Sequence, residues 1–481
     1  MRAVDRLFAC VLLLLALSLS QAGLAASQRP RGQATQSAGV AYLPLVRAAG
    51  PSVRRVNAPY FTGDVCFPEM AIFWFGQVTP AENYTDVRVG YSDAELYIYT
   101  AVFDRRLWYT ATPSPQNLAA WDAVTLYLDT SAQTPAAPAA SSYQVVAQLN
   151  GGGSQDSYRA VYGGNGSGWA ATSVQFTTLP GWRGNALNDD VDDRGWAMNF
   201  HIPFKSLGMS GPPAPGAVWR LAVALHDRDS LAGPPNPDTI WPEAMHADRP
   251  DGWGQLAFGL PSYTAPATSS RGTSTIRQGL DGATVADAAV GGGSVCGDGL
   301  DFWTQWGVAN YAGKGDFNVQ NQADVADWPC FSKYYVTFPL SAVPSGKAII
   351  SATLTLHQFG NAQPQDAKPS LIQALTVDRD WSEAGLTWNS APLALENVGQ
   401  AWANPLLAFP GWPGVPRTWD VSRAVAAAYA SAQPLRLALY EADSDYHSGK
   451  YFVSSDTGDW NADGRPTLTV TWGDPAGRAS H

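Results

Sequence analysis

The stretch ELYIYTAVFD, Glu95 to Asp104, places Leu96, Ile98 and Val102 on one face of an extended chain and Tyr97, Tyr99 and Phe103 on the other. Side chains alternate across a strand, so a run that is apolar on both faces reads as an inner strand covered on both sides. The next run, AVTLYLD at 123–129, alternates in the same period, with Val124, Leu126 and Leu128 opposite Thr125, Tyr127 and Asp129. YQVVAQL (143–149), WAMNFHIPF (196–204), WRLAVALHD (219–227) and WGQLAFG (253–259) are further strand candidates, each bounded by Gly, Pro or Asp. In the second half ATLTLHQF buries Ala352, Leu354 and Leu356, LRLALYE buries Leu435, Leu437 and Leu439, and TLTVTW buries Leu468, Val470 and Trp472. One helix is expected, in DVSRAVAAAYASA (420–432), with Asp420 or Ser422 as its cap. Alternating strand–helix–strand units are absent from the pattern, which argues against a parallel sheet.

Composition agrees. With 46 Gly, 35 Pro, 19 Trp and 19 Tyr but only 15% charged residues, the chain has the make-up of short strands joined by tight turns. The fold class expected is all-β: two tandem antiparallel β-sandwich, jelly-roll-like domains joined by a short linker.

Arg2 and Arg6, the apolar run from Leu7 to Leu19 and the small residues Ala22, Gly23, Ala25 and Ala26 read as an export signal over 1–25. Residues 26–56 read as a flexible lead-in, 57–260 as the first sandwich, 261–274, in the stretch PSYTAPATSSRGTST, as the linker, 275–473 as the second sandwich and 474–481 as a tail. The expected location is secreted or extracellular, including the cell surface. No later run reaches the roughly 20 apolar residues of a membrane span. The net charge of −11, one unit more negative once the signal is gone, disfavours nucleic acid and anionic membrane surfaces as partners.

Three cysteines follow the signal segment. Cys296 and Cys330 fall in one expected domain and are paired as a disulfide, leaving Cys66 either buried and inert or exposed and reactive. His201, His226, His246, His357, His447 and His481 are scattered without metal-ligand spacing. No nucleophile elbow, phosphate loop or dinucleotide fingerprint appears. Paired carboxylates of a glycosidase come from distant strands and leave no local pattern, so a lyase or hydrolase stays open as an alternative. A structural or adhesive surface protein with the sandwiches as spacers is the other.

The acidic run NDDVDDRGW offers Asp190, Asp192 and Asp193 as hard oxygen ligands for a structural calcium ion; the competing reading is a solvated loop. Trp74, Trp196, Trp219, Trp381 and Trp388 fall in or beside strands and read as core. Trp121, Trp169, Trp241 and Trp253 fall at strand ends or in Gly-, Pro- and Asp-rich loops, where an indole face is open to stack on a pyranose ring.

These motifs carry two resemblances. YSDAELYI, WDAVTLYLD, RGWAMNFHIPFKSLG, HDRD and WGQLAFG, in that order over 57–260, resemble the family 9 carbohydrate-binding modules and the wider DOMON-like sandwich group. That resemblance implies two tryptophans sandwiching a terminal sugar, with Trp121 as one and Trp241 or Trp253 as the other, and loop-stabilising calcium. Ala123 and Thr125 depart from the family's polar or acidic residues. Haem ligation, as in some DOMON domains, would fall to Met198 and His201. YYVTFPLSAVPSGKAIISATLTL, WSEAGLTWNSAP, WDVSRAV and YFVSSDTGDWNADGRPTLTVTW, over 275–473, resemble the DNRLRE domain grouped with carbohydrate-binding module family 96. This implies a jelly-roll sandwich on secreted bacterial proteins and an architectural role for Trp381, Glu383 and Trp388; Lys333 stands where an Arg often precedes the strand. Together the two imply a non-catalytic protein whose partner is a polysaccharide or cell-surface glycan.

Overall fold

A computed structural model describes residues 53–152, 155–293, 299–322, 328–443 and 449–476. The export signal and nearly all of the lead-in lie outside them. The chain is all-β, and the expected runs form strands: Glu95–Phe103, Ala123–Asp129, Ser142–Gln148, Gly195–Pro203, Val218–His226, Ala348–Asn361, Leu435–Glu441 and Thr467–Gly473. The helix forms over Ser422–Ala430, but its N-cap is Val421, not Asp420 or Ser422; Asp420 Oδ1 accepts from the Ser422 backbone N–H at 2.9 Å.

Three sheets carry the fold. A five-stranded sheet in the first half holds Ala71–Gly76, Tyr84–Tyr91, Glu95–Phe103, Gly195–Pro203 and Thr177–Arg183. A six-stranded sheet in the second half is built around Ala348–Asn361. The third sheet, of 13 strands, runs through both halves. Its pairings are antiparallel except at Arg55–Ala58, which runs parallel to Gly254–Phe258 on one side and to Ala394–Ala403 on the other.

That short strand joins the halves, and it contains the last residues assigned to a flexible lead-in. RVNA has too little apolar content to announce itself as a strand, and its hold is polar. Asn57 and Asn397 clamp each other's backbones: the Asn57 N–H donates to Asn397 Oδ1 at 2.7 Å, and Asn397 Nδ2 donates back to the Asn57 carbonyl at 3.0 Å. Arg54, buried beside it, pairs with Glu243 of the first half and with Asp378 of the second at 2.7 Å. The segment read as a linker is also tied down. Tyr263 donates its hydroxyl proton to the Ile349 carbonyl at 2.6 Å, and the strand Gly272–Arg277 pairs with Thr467–Gly473.

The two-faced strand Glu95–Phe103 explains the packing. Leu96 and Ile98 belong to the first sandwich core with Leu126, Leu221 and Val223. On the opposite face, Phe103 lies 4.6 Å from Phe331 between ring centroids, and Tyr84 lies 5.0 Å from Trp388. The five-stranded sheet is therefore covered on one face by its own half; on the other, the second half covers the side of Ala71–Gly76 and Tyr84–Tyr91, while Leu179, 60% exposed, marks the open side at Thr177–Arg183. The strand Leu435–Glu441 is likewise two-faced: Leu437 and Leu439 pack into the second sandwich core, while Ala438 and Tyr440 join the first. Trp74, Trp196 and Trp219, in strands, are core residues, as is Trp388 in a turn before Ala394–Ala403, whereas Trp381, also expected in the core, is half-buried against it.

At this junction Asp86, Arg88 and Lys333 are all buried. Removing one partner from such a group strands an uncompensated charge, at a cost of about 3–5 kcal/mol. Asp86→Ala is expected to lower stability by that amount and to shift one single calorimetric transition; independent sandwiches would give two transitions with only one displaced.

Candidate functional site

The tryptophans nominated from the sequence do not converge on a sugar site. Trp241 and Trp253 are each 1% exposed. Trp241 pairs with Val223 in the ladder, which turns its indole inward to stack on Phe73 at 4.1 Å. Trp253 donates its indole N–H to the His246 carbonyl at 2.8 Å, and Tyr127 lies 5.5 Å from its ring. Trp169, half-buried, is parallel to Trp253 at 6.4 Å, with Tyr127 against both rings. Trp121, also half-buried, carries the Arg228 guanidinium over its face at 4.6 Å. Strand-end position does not open either ring to solvent: the ladder turns Trp241 inward, and Trp253, one residue before the strand Gly254–Phe258, packs on Tyr127 and Trp169.

The acidic run separates as well. Asp192 is paired with Arg105 at 2.8 Å and Arg106 at 2.9 Å, Asp190 is exposed, and only Asp193 is buried. A different trio comes together: Asp104, Asp122 and Asp227, all buried, each offering a carboxylate oxygen within 4.8 Å of the others. The sheet places them. Ala123 pairs with His226, so Asp122 and Asp227, their chain neighbours, emerge at the same end, and Asp104 closes the strand Glu95–Phe103. Burial and the neighbouring carboxylates push Asp104 and Asp122 far above the usual carboxylate range, and burial pushes Asp227 up to about 6. Asp122 accepts from the backbone N–H groups of Trp108 at 2.5 Å and Arg228 at 3.0 Å, while Asp227 Oδ1 is buried without a hydrogen-bond partner. Three converging carboxylates with an oxygen left over fit a hard divalent cation, whose oxygen ligands sit about 2.3–2.6 Å from calcium. The signal was present in the sequence as an aspartate at the end of each of three apolar strands.

In a second acidic group, Asp287, Glu383 and Asp456, the buried Asp287 is satisfied internally: it accepts from the Tyr334 hydroxyl at 2.5 Å and from the Ser455 N–H and hydroxyl at 2.8 and 2.6 Å. Met198 is core, and His201 lies on the other face of its strand bonded to Glu95 at 2.8 Å, so the two do not face one haem. Cys330 is disulfide-bonded; Cys296, its expected partner, lies outside the described residues.

The sequence reading missed the aromatic group the structure leaves in solvent. Phe409 (58% exposed), Trp412 (49%) and Trp460 (67%) adjoin half-buried Phe359 on the outer face of the six-stranded sheet. The Trp412 ring lies 5.0 Å from Trp460, 5.1 Å from Phe409 and 5.5 Å from Phe359. Two surface loops present them, AFPGWPG (408–414) and DTGDWNADG (456–464), and Phe359 points outward because Leu354, Leu356 and Gln358 take the inward positions of its strand. Contiguous exposed aromatic surface of this kind is a candidate interaction surface.

Residues 304–471, which include all four rings, match the model of carbohydrate-binding module family 96. Among solved structures, the chain is similar to a carbohydrate-binding module family 9 from Caldicellulosiruptor kristjanssonii in complex with cellotriose (15% identity, 43% of this chain and 95% of that one, TM-score 0.30). The same family's structure with glucose gives 15% identity over 44% of this chain and all of that one, TM-score 0.31. A putative carbohydrate-binding protein from Bacteroides uniformis ATCC 8492 gives 12% identity over 43% and 100%, TM-score 0.34. No curated protein sequence matches the chain. Both resemblances drawn from the sequence thus reappear.

The two kinds of tryptophan separate by stability. Trp253→Ala, emptying a core site, is expected to cost about 3–5 kcal/mol in denaturant unfolding, and Trp460→Ala less than about 0.5 kcal/mol.

Proposed function

We propose that this is an exported, non-catalytic glycan-binding protein that recognises polysaccharide through Phe359, Phe409, Trp412 and Trp460. The observation carrying the reading is that solvent-exposed ring cluster, lying within the segment that matches a carbohydrate-binding family. Indole faces stack on the apolar face of a pyranose while water is expelled from both. The run from Arg2 to Ala26 supports export. The test is affinity electrophoresis of the full chain through gels containing soluble polysaccharides. Trp412→Ala and Trp460→Ala are each expected to weaken retardation at least tenfold, about 1.4 kcal/mol, with unchanged circular dichroism; indifference to both substitutions would leave the chain a structural spacer.

We also propose that Asp104, Asp122 and Asp227 hold a structural calcium ion, in place of the run at Asp190, Asp192 and Asp193. Their convergence, and the unpartnered Asp227 oxygen, support it. The ion would neutralise like charges that otherwise repel inside the fold and would tie three strand ends together. Calcium at a hundred times its dissociation constant is expected to raise stability by about 2.7 kcal/mol, measured as a rise in Tm that EDTA reverses. Asp227→Asn removes one repelling charge, so it is expected to abolish the calcium response while raising the Tm of the chelated protein.

A further inference from the structure

Resting on the reading of the chain as a glycan-binding protein, we infer that the seam between the two halves holds a second sugar site, centred on Tyr60 and separate from the rings at Trp412 and Trp460, which takes a short run of pyranose units.

A cleft of about 520 Å³ opens at the seam, lined by Tyr60, Glu69, Asp93 and Leu260 of the first half and by Gln400, on the strand Ala394–Ala403, of the second. Pockets that hold small ligands run from about 300 to 1,000 Å³ and favour domain junctions. A smaller cleft of about 190 Å³ shares Leu260 and Gln400 with it and runs on to Arg423, so the seam offers an extended groove, which admits the middle of a polymer as well as its end. The walls are set before a ligand arrives. Tyr60 and Tyr91 are bridged, the Phe61 N–H donating to the Tyr91 carbonyl at 2.8 Å and the Tyr91 N–H to the Pro59 carbonyl at 3.1 Å. Pro59, Pro212, Pro213 and Pro215 also line the cleft, and their locked φ leaves little backbone freedom to lose on binding.

The chemistry inside suits a hydroxyl-rich ring. Tyr60 is 42% exposed although its backbone is bridged, and its hydroxyl donates to Asp93 Oδ1 at 2.7 Å, which holds the phenol ring at the rim; the buried Tyr91 ring supports it from 5.4 Å. An exposed ring held in this way is a platform for the apolar face of a pyranose. Hydrogen-bonding groups that the fold does not use stand around it: among the described residues the side chains of Glu69 and Gln400, both half-buried, make no hydrogen bond and no ion pair. A carboxylate accepts from sugar hydroxyls, more strongly than a neutral acceptor does, and a carboxamide both accepts and donates. A purely apolar ligand would desolvate these groups and leave them unpaired, at a cost that sugar hydroxyls avoid.

The experiment titrates the full chain by calorimetry with cellohexaose, mannohexaose, xylohexaose and an alginate hexasaccharide. With at least one of them, binding at one site per chain is expected to survive Trp412→Ala combined with Trp460→Ala, and to weaken about tenfold or more when Tyr60→Ala is added. Glu69→Gln and Gln400→Ala, changes of surface polar groups that leave the platform in place, should each weaken the surviving site several-fold with an unaltered Tm, which keeps the test independent of any folding defect in Tyr60→Ala. Binding that vanishes in the Trp412→Ala, Trp460→Ala pair overturns the seam site and leaves the ring cluster. Binding that survives the pair but ignores Tyr60→Ala, Glu69→Gln and Gln400→Ala overturns it as well. No binding of any oligosaccharide overturns the seam site alone where polysaccharide gels still retard the chain and Trp412→Ala relieves that retardation, and overturns both sites where they do not.

Discussion

The ammonium group of Lys333 sits inside the protein with four rings around it, and the joining of the two halves turns on that contact. Nζ lies 3.7 Å from the centroid of Trp388, 4.3 Å from Trp74, 4.5 Å from Tyr84 and 5.0 Å from Tyr440. Trp74 and Tyr84 come from the first half, Trp388 and Tyr440 from the second. Burial pulls the lysine well below its ordinary pKa, with buried Asp86 opposing that shift. Asp86 in turn accepts from the hydroxyls of Tyr84 at 2.6 Å and Tyr440 at 3.0 Å, one from each half. A buried charge is tolerated only where rings, dipoles or an opposite charge replace its hydration, and here those replacements are divided between the two halves. Neither half supplies the environment alone. The shared 13-stranded sheet and the amide clamp of Asn57 with Asn397 make the same point in the backbone.

How much of this was legible follows from the range of each interaction. Alternation within six to nine residues is local, and the strands it marked are strands. The apolar second face of Glu95–Phe103 was legible too, as a face that something must cover. What covers it was not, because Phe331 and Trp388 come from more than 200 residues downstream. The tetrapeptide at 55–58 stayed hidden for a related reason: it works through backbone pairing and two amides, which leave no hydrophobic period. Tryptophan direction depends on ladder register, and a register is a relation between two segments. Trp241 was placed at a strand end correctly and on the wrong side of it. Trp412 and Trp460 sit among Gly, Pro and Asp residues, the setting that singled out Trp121 and Trp253, so the cue was available but does not discriminate by itself.

The sheet arrangement also explains why the exposed rings are where they are. The first sandwich gives one face of its five-stranded sheet to its own core and much of the other to the second half, leaving open the side at Thr177–Arg183. The six-stranded sheet has one face in the second core and the other free, and it is this outer face that carries Phe359 with the two Trp-bearing loops. A sheet buried on both faces serves as scaffold, and one buried on a single face can serve as a platform.

The acidic trio and the aromatic cluster then divide the demands placed on one chain. Like charges converge at Asp104, Asp122 and Asp227 where they are least tolerable, in the interior and at the ends of three strands. The rings at Trp412 and Trp460 stand exposed on loops, so their exchange leaves the packing of the core undisturbed. Sugar stacking needs no group of shifted pKa and no converging acids. The buried carboxylates and the exposed indoles are thus kept at separate places in the fold, where a change at one leaves the other undisturbed.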